Sequence, residues 1–318
     1  MKVEKIYLYE NRTDVSLTTY VLDDSTEMLA GKTRPAIIIC PGGAYLSCSD
    51  REAEPVALRF ASMGYHTFVL RYSTYGGGND FPDLSKPLEP KPECQYPMNM
   101  REIGLAMLMV RDHANEWLVD TDRIAICGFS AGAHNCAMYE TNWFKPVMTE
   151  YFNRPAEDFR PAAVILGYTL SDYVFMKDAT IGDPGAMAMF AASNTAFLGA
   201  VEVSDERLAE VSPARNVTEL TPPTFLWATS EDNLVPVQHS IRMAHALADK
   251  GIPFELHIFE KGAHGLSLAT QAVAQAKSQV KPDVAKWVDL VDEWLLKRFT
   301  FDLPELTMIE QMIAGGLL

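Results

Sequence analysis

The sequence predicts an α/β protein whose mostly parallel central sheet is covered by helices on both faces and carries a small helical insertion. Short apolar runs alternate with helical stretches along most of the chain. The runs are apolar at successive positions, as in strands buried on both faces, and the helices between them are what parallel strands require as connections. With 318 residues, 48% of them hydrophobic, the chain can bury roughly 75% of the surface its unfolded form exposes. Residues 1–318 are therefore read as one domain whose core needs neither metal nor disulfide.

The elements follow in order. An N-terminal strand region precedes Ala36 to Ile39, a strand that leads into Cys40-Pro41-Gly42-Gly43. Ser49-x-x-Glu52 has the form of a capping box and is expected to open a helix with Val56, Phe60 and Met63 on one face, closed by Gly64. His66 to Tyr72 is a second strand, and Ser73 to Pro97 is long for a plain connector and is expected to wrap or to function. Ile103, Ala106, Met107, Val110 and Ala114 mark a helix, and Ile124 to Phe129 is a strand ending at a glycine-flanked serine. Further strands are predicted at Ala162 to Leu166, Thr224 to Ala228 and Phe254 to Phe259, with helices over Pro236 to Asp249 and Asp283 to Arg298. The Met-, Ala- and Phe-rich stretch at 171–212 interrupts this rhythm and reads as an inserted helical cap. A tail at 301–318, with Leu306, Ile309 and Ile313 at near-helical spacing, leaves packing on the core or on another subunit of a homo-oligomer open.

Charge and cysteine usage exclude several functions. Lys plus Arg number 27 against 42 for Asp plus Glu, a net charge of −15, the wrong sign for a nucleic-acid groove or an anionic membrane surface. No run approaches the ~18 unbroken apolar residues of a membrane span. The five cysteines are odd in number and lack CxxC spacing, and the N-terminus MKVEKIYLYE has no apolar leader. A reduced, cytoplasmic protein is expected. No histidine and carboxylate cluster has ligand spacing, so no metal is expected.

Gly128-Phe129-Ser130-Ala131-Gly132 is a Gly-x-Ser-x-Gly pentapeptide with a strand before it and a helix-capable run, AHNCAMYE, after it. That context suits a sharp turn that lifts a nucleophilic serine above a sheet edge, whereas the plain alternative is a serine capping a helix. A serine hydroxyl needs a base. Of seven histidines, His66, His113, His134, His239, His245 and His257 sit in predicted strands or helices and read as structural. His264 lies on a glycine-bearing loop after the last core strand and is the expected base. Asp232, on the loop between the Thr224 strand and the Pro236 helix, is the expected carboxylate partner; a turn role is its alternative, and the adjacent Glu231 reads as a solvated charge. The developing oxyanion needs two N–H donors. Ala131 supplies one, and the Gly42-Gly43-Ala44 loop can bring bare backbone to the same place. Tyr45 and Phe129 are candidate substrate-pocket walls, with packing as the alternative for each.

These residues resemble the α/β-hydrolase superfamily, and within it acetylxylan-esterase-like and hormone-sensitive-lipase-like carboxylesterases. The carrying segments are Cys40 to Tyr45, Ser49 to Ala53, Phe68 to Tyr72, Asp122 to Ala125, Gly128 to His134, Asp232 to Pro236 and Gly262 to Gly265, within about residues 35 to 298. The resemblance implies Ser130 as nucleophile, Asp232 as acid, His264 as base, and Gly43, Ala44 and Ala131 as oxyanion donors. It further implies hydrolysis of short-chain acyl esters, acetyl esters of sugars or xylo-oligosaccharides among them, without a cofactor. The chain departs from the family pattern at Ala44 and Ala133, where glycines are usual, and the Cβ of Ala44 is expected to tighten the acyl pocket. Two other readings stand beside this one. A peptidase or amidase of the same fold is disfavoured because no propeller-sized region precedes the pentapeptide, and a catalytically silent binding protein is disfavoured because the triad is complete.

Overall fold

Arg34 to Cys40 is buried along its whole length, and the sheet is built outward from it. In the computed structural model, which describes residues 1–29, 31–180, 182–301 and 303–316, eight strands form one sheet. They are β1 (Lys2–Tyr9), β2 (Arg12–Val21), β3 (Arg34–Cys40), β4 (His66–Arg71), β5 (Val119–Phe129), β6 (Ala163–Gly167), β7 (Thr224–Thr229) and β8 (Phe254–Phe259). Their spatial order is β1-β2-β4-β3-β5-β6-β7-β8. β1 and β2 pair antiparallel with each other, β2 pairs antiparallel with β4, and every other neighbouring pair is parallel.

The helices are α1 (Glu54–Ala61), α2 (Met98–Asp112), α3 (Ala114–Trp117), α4 (Ala131–Glu140), α5 (Pro146–Phe152), α6 (Tyr173–Ala179), α7 (Pro184–Leu198), α8 (Asp205–Glu210), α9 (Gln238–Asp249), α10 (Trp287–Leu296) and α11 (Met308–Ala314). Strand periodicity sorts them into two layers. Ile37 and Ile39 face Phe60 of α1 and Trp287 and Trp294 of α10. Ile38 faces the opposite layer, which holds Ile103 and Met107 of α2, Cys136 of α4 and Met243 and Leu247 of α9. Each such isoleucine contributes about 1.5–3 kcal/mol by leaving water. Burial on both sides is why the strands read as continuous apolar runs, and the α/β expectation holds.

The capping expectation changes on contact with the structure, while the connector after β4 and the tail extend what the sequence left open. Ser49 makes no capping hydrogen bond; residues 50–52 form a single 3₁₀ turn, and α1 begins only at Glu54, with Ala53 as its N-cap and a proline in its first turn. Glu52 is instead turned inward, where its carboxylate accepts the Gly42 N–H at 2.7 Å, a tertiary partner that outcompetes the local cap. The long stretch after β4 is tied down, since Glu102 accepts the Ser73 N–H at 2.6 Å while Asn99 Nδ2 donates to the Ser73 and Cys94 carbonyls. The tail packs on the core only at its start, where Phe301 meets Tyr65 with ring centroids 5.9 Å apart; Leu306, Ile309 and Ile313 are 45%, 61% and 58% exposed, and positions 302, 317 and 318 lie outside the described residues. Residues 171–212, apart from position 181, which also lies outside them, carry α6, α7 and α8 between β6 and β7. There Asp183 caps α7, Pro184 starts it and Gly199 ends it in the left-handed region, as local sequence rules require.

Glu140, at the end of α4, is wholly buried, and one carboxylate oxygen accepts the Thr224 hydroxyl at 2.8 Å. Burial pushes its carboxyl up to about 8, opposed in part by that hydroxyl. The folded chain thus holds a proton that the unfolded chain releases near 4.5, so stability from this group is full below that pH and is lost as pH rises toward 8, by about 1.4 kcal/mol per pH unit. Urea unfolding from pH 5 to pH 9 is expected to show a steeper decline in the parent protein than in Glu140→Gln, which keeps the loss from Glu102, a second buried carboxyl that burial pushes up to about 7; parallel curves for the two proteins would refute the assignment.

Candidate active site

The turn between β5 and α4 fixes the site. Ser130 adopts φ 53°, ψ −122°, a conformation a residue with a Cβ occupies only under strain. The turn closes because α4 approaches the loop after β3 backbone to backbone: a Cβ on Gly132 would stand 2.1 Å from the Cys40 carbonyl oxygen and 2.4 Å from that of Pro41. The Ser130 N–H donates to the Gly167 carbonyl at the end of β6 at 3.0 Å. Its hydroxyl does not cap α4; Oγ lies 2.8 Å from His264 Nε2, which removes the capping alternative.

His264 and Asp232 come from the loops after β8 and β7. His264 Nδ1 is 2.7 Å from Asp232 Oδ2. A carboxylate only accepts, so Nδ1 carries the imidazole proton and Nε2 is left to accept from the Ser130 hydroxyl. The other Asp232 oxygen accepts the N–H groups of Leu234 and Val235 at 3.0 and 2.9 Å. The turn role and the orienting role thus coexist on separate oxygens of one side chain. Glu231 is exposed, yet it also accepts the Gly262 N–H at 3.3 Å, tying the Asp232 loop to the His264 loop.

On the other side of Ser130, the loop after β3 presents Gly43 and Ala44, with Ala44 and Tyr45 both in the left-handed region at φ 56° and 61°. The N–H groups of Gly43, Ala44 and Ala131 donate to no acceptor among the described residues, as donors kept for a ligand oxygen would. Ala44, Ser130, Ala131 and His134 form the floor of a cavity whose far wall includes Tyr173, Met189 and Phe190 of α6 and α7. About 50 Å³ of it is open to the centre of a water-sized sphere.

Tyr45 and Phe129 do not line this cavity. Tyr45 lies behind the wall, stacked on Phe197 with ring centroids 4.2 Å apart, its hydroxyl 2.6 Å from His134 Nδ1. Phe129 precedes Ser130 in an extended strand and points to the opposite face of the sheet, against Tyr168 and Trp287. His134, read from sequence as structural, lines the cavity and also holds this loop. Its Nε2 donates to the Val211 carbonyl at 2.8 Å, so Nδ1 accepts the Tyr45 O–H. Burial, against the pull of that carbonyl, pushes the ring down to about 4 and keeps it neutral. Among the described residues no group of three or more His, Cys, Asp or Glu side chains could hold a metal ion.

A family model described as BD-FAE matches residues 23–247, well over half of the chain. The chain belongs to the BD-FAE family. The matched range spans Ser130 and Asp232 and ends before His264. The chain is 34% identical over 238 residues to endo-1,4-beta-xylanase B of Butyrivibrio fibrisolvens, an alignment covering 74% of this chain and 33% of that protein. It spans about half the length of other curated esterases that it matches. Among solved structures, an acetyl ester-xyloside bifunctional hydrolase from Caldicellulosiruptor lactoaceticus is 30% identical with a TM-score of 0.69, covering 92% of this chain and 96% of that one. The carboxylesterase Cest-2923 from Lactobacillus plantarum WCFS1 is 26% identical with a TM-score of 0.74, covering 94% and 98%. The resemblance to α/β hydrolases of the carboxylesterase kind is thereby shown.

The strain at Ser130 has a measurable sign. Glycine is ordinarily less stable than alanine by about 0.5–1 kcal/mol because of its chain entropy, but at this φ the order inverts. Ser130→Gly is expected to unfold at higher urea than Ser130→Ala, by about 1 kcal/mol; an alanine variant of equal or greater stability would show that the turn is unstrained.

Proposed function

We propose that this protein is a serine carboxylesterase that hydrolyses short-chain acyl esters, acetyl esters foremost, with acetylated sugars or xylo-oligosaccharides as the substrate class. The observation that carries the proposal is the unbroken chain from Ser130 Oγ through His264 to Asp232, at 2.8 and 2.7 Å, on loops at the carboxyl ends of three parallel strands. His264 Nε2 takes the Ser130 proton as Oγ attacks the ester carbonyl carbon. The carbonyl oxygen becomes an oxyanion and is met by the N–H groups of Gly43, Ala44 and Ala131. The C–O bond to the alcohol breaks, His264 returns the proton to the leaving oxygen, and an acyl-Ser130 ester remains. Water, deprotonated by the same histidine, then releases the acid and restores Ser130. Asp232 holds the imidazole tautomer throughout.

The acyl group is the part the cavity limits. An opening of about 50 Å³ suits an acetyl or propionyl chain and falls far short of the hundreds of Å³ that larger ligands occupy. Ala44 is part of the lining that sets this size. The acetylated-carbohydrate part of the proposal draws on the acetyl ester-xyloside hydrolase to which this chain is similar. The rest of the proposal takes residues 1–318 as one domain with 171–212 as a cap over the acyl pocket, acting without cofactor on a small-molecule ester. A cytoplasmic location is supported by five cysteines that are all free and buried. No helix among the described residues is long and apolar enough to cross a membrane.

Ser130→Ala is expected to abolish turnover of p-nitrophenyl acetate and labelling by a fluorophosphonate probe while leaving the circular dichroism unchanged; persistent turnover would remove the proposal. On p-nitrophenyl esters kcat/KM is expected to fall steeply beyond butyrate, by about tenfold or more for octanoate, since overfilling a packed pocket costs about 1–3 kcal/mol. A profile flat with chain length would reject the acyl-pocket assignment. Acetate release from acetylated xylo-oligosaccharides, compared with simple acetylated sugars, tests the substrate class.

A further inference from the structure

Glu52 is a glutamate 3% exposed, with both oxygens occupied by partners from opposite sides of the site. Oε2 accepts the Gly42 N–H at 2.7 Å and Oε1 accepts the Tyr168 hydroxyl at 2.6 Å. The Tyr168 oxygen in turn accepts the Ser267 N–H at 3.0 Å, and the Ser267 hydroxyl donates to the Arg51 carbonyl, one residue before Glu52. Ser267 is three residues past His264, and the Tyr168 ring meets the His264 ring edge to face at 5.0 Å. A Cβ on Gly42 would lie 2.8 Å from both Glu52 Oε2 and Ser130 Cβ, so the carboxylate sits directly behind the nucleophile.

This arrangement bears on where the oxyanion donors point. In a trans peptide the C=O and N–H are antiparallel. The Gly42 carbonyl is held by the Ser49 N–H at 2.9 Å, and the Gly43 carbonyl by the N–H groups of Leu46 and Ser47 at 2.8 and 3.1 Å. The N–H groups of Gly43 and Ala44 are thereby turned the other way. The peptide before Gly42 is held from both sides: the Tyr72 hydroxyl donates to the Pro41 carbonyl at 2.7 Å, and the Gly42 N–H donates to Glu52. We propose that Glu52 is a positioning residue: it clamps the oxyanion loop through Gly42 and the His264 loop through Tyr168 and Ser267, so that donors and base keep one spacing about Ser130. A buried carboxyl group suits the task because its two oxygens accept from two donors at once.

The inference rests on the esterase reading, and the experiment separates the two. In Glu52→Gln one oxygen is replaced by an NH₂ group, so the side chain keeps one acceptor for two donors. The protein is expected to stay folded, to lose about 10- to 100-fold in kcat on p-nitrophenyl acetate with KM within about threefold, and to bind an arylboronic acid, which adds to the serine as a tetrahedral mimic, more weakly by a similar factor. Tyr168→Phe, which cuts the link to Ser267 and leaves Gly42 bonded, is expected to shift both quantities in the same direction by less. Tyr65→Phe removes a phenol bonded to Asp292 on α10, away from the site, and is the control for lost stability with unchanged kcat. Glu52→Gln and Tyr168→Phe proteins that keep kcat and boronate affinity within about twofold of the parent overturn the clamp. If Glu52→Gln does not fold, the Tyr168→Phe result decides alone. Turnover surviving in Ser130→Ala overturns the esterase reading instead, whereas an inactive Ser130→Ala beside fully active Glu52→Gln and Tyr168→Phe overturns only the clamp.

Discussion

The close approach of the first turn of α4 to the carbonyls of Cys40 and Pro41 is the constraint on which the site depends. With no Cβ on Gly132, the helix starts one backbone thickness from the loop after β3, and two chain segments some ninety residues apart converge on the same few ångströms. That proximity holds Ser130 in its strained turn, with Oγ directed to His264 rather than capping the helix, and brings Ala131 and Ala44 to one cavity. Holding a non-glycine residue there costs about 1–3 kcal/mol. The surrounding sheet offsets it: β3, β5 and β6 are parallel neighbours with isoleucines buried on both faces, and a slip of register to relax the turn would expose them.

Burial also distinguishes the histidines. Desolvation pushes His66 and His134 down to about 4 and His239 to about 3, so each is neutral and serves as a fixed hydrogen-bond partner. His66 accepts the Leu22 N–H beside β2, and His239 accepts N–H groups of Ser171 and Asp172 where the chain leaves β6 for α6. His264 differs in kind. Its side chain is 12% exposed against 1% for Asp232, so one edge is pinned by a buried acid and the other meets Ser130 Oγ at 2.8 Å.

Ser130, Asp232 and His264 were legible in the sequence because each sits at the end of an apolar run, and the order of such runs along the chain dictates which loops share a sheet edge. What local pattern could not supply was direction. Phe129 and Tyr45 flank site residues in sequence, yet alternation along β5 sends Phe129 to the other layer, and the left-handed backbone at Ala44 and Tyr45 folds Tyr45 behind the wall. Ser49-x-x-Glu52 matches a capping pattern, and its glutamate was drawn inward by Gly42 and by Tyr168, 116 residues away in the chain. A rule confined to four residues has no access to either partner. The cavity wall was equally hidden, since composition marked 171–212 as apolar and helical without indicating which face meets Ser130.

His134 joins the parts that sequence reading kept separate. It stands one helical turn past Ser130 on α4, accepts the Tyr45 hydroxyl of the oxyanion loop and donates to the Val211 carbonyl just beyond α8. Its ring also meets Tyr173 of α6 and Phe197 of α7 edge to face at 4.9 and 5.2 Å. The inserted segment is therefore in contact with the same imidazole that holds the loop after β3 and stands on α4 behind Ser130. Because that imidazole is buried and neutral, its two nitrogens have fixed and opposite roles, one accepting and one donating, and reversing either would leave a buried polar atom unpaired at about 1–3 kcal/mol. The helices that wall the cavity and the loop after β3 are thus held in one register by a single side chain, which ties the size of the cavity to the position of the Gly43 and Ala44 N–H groups.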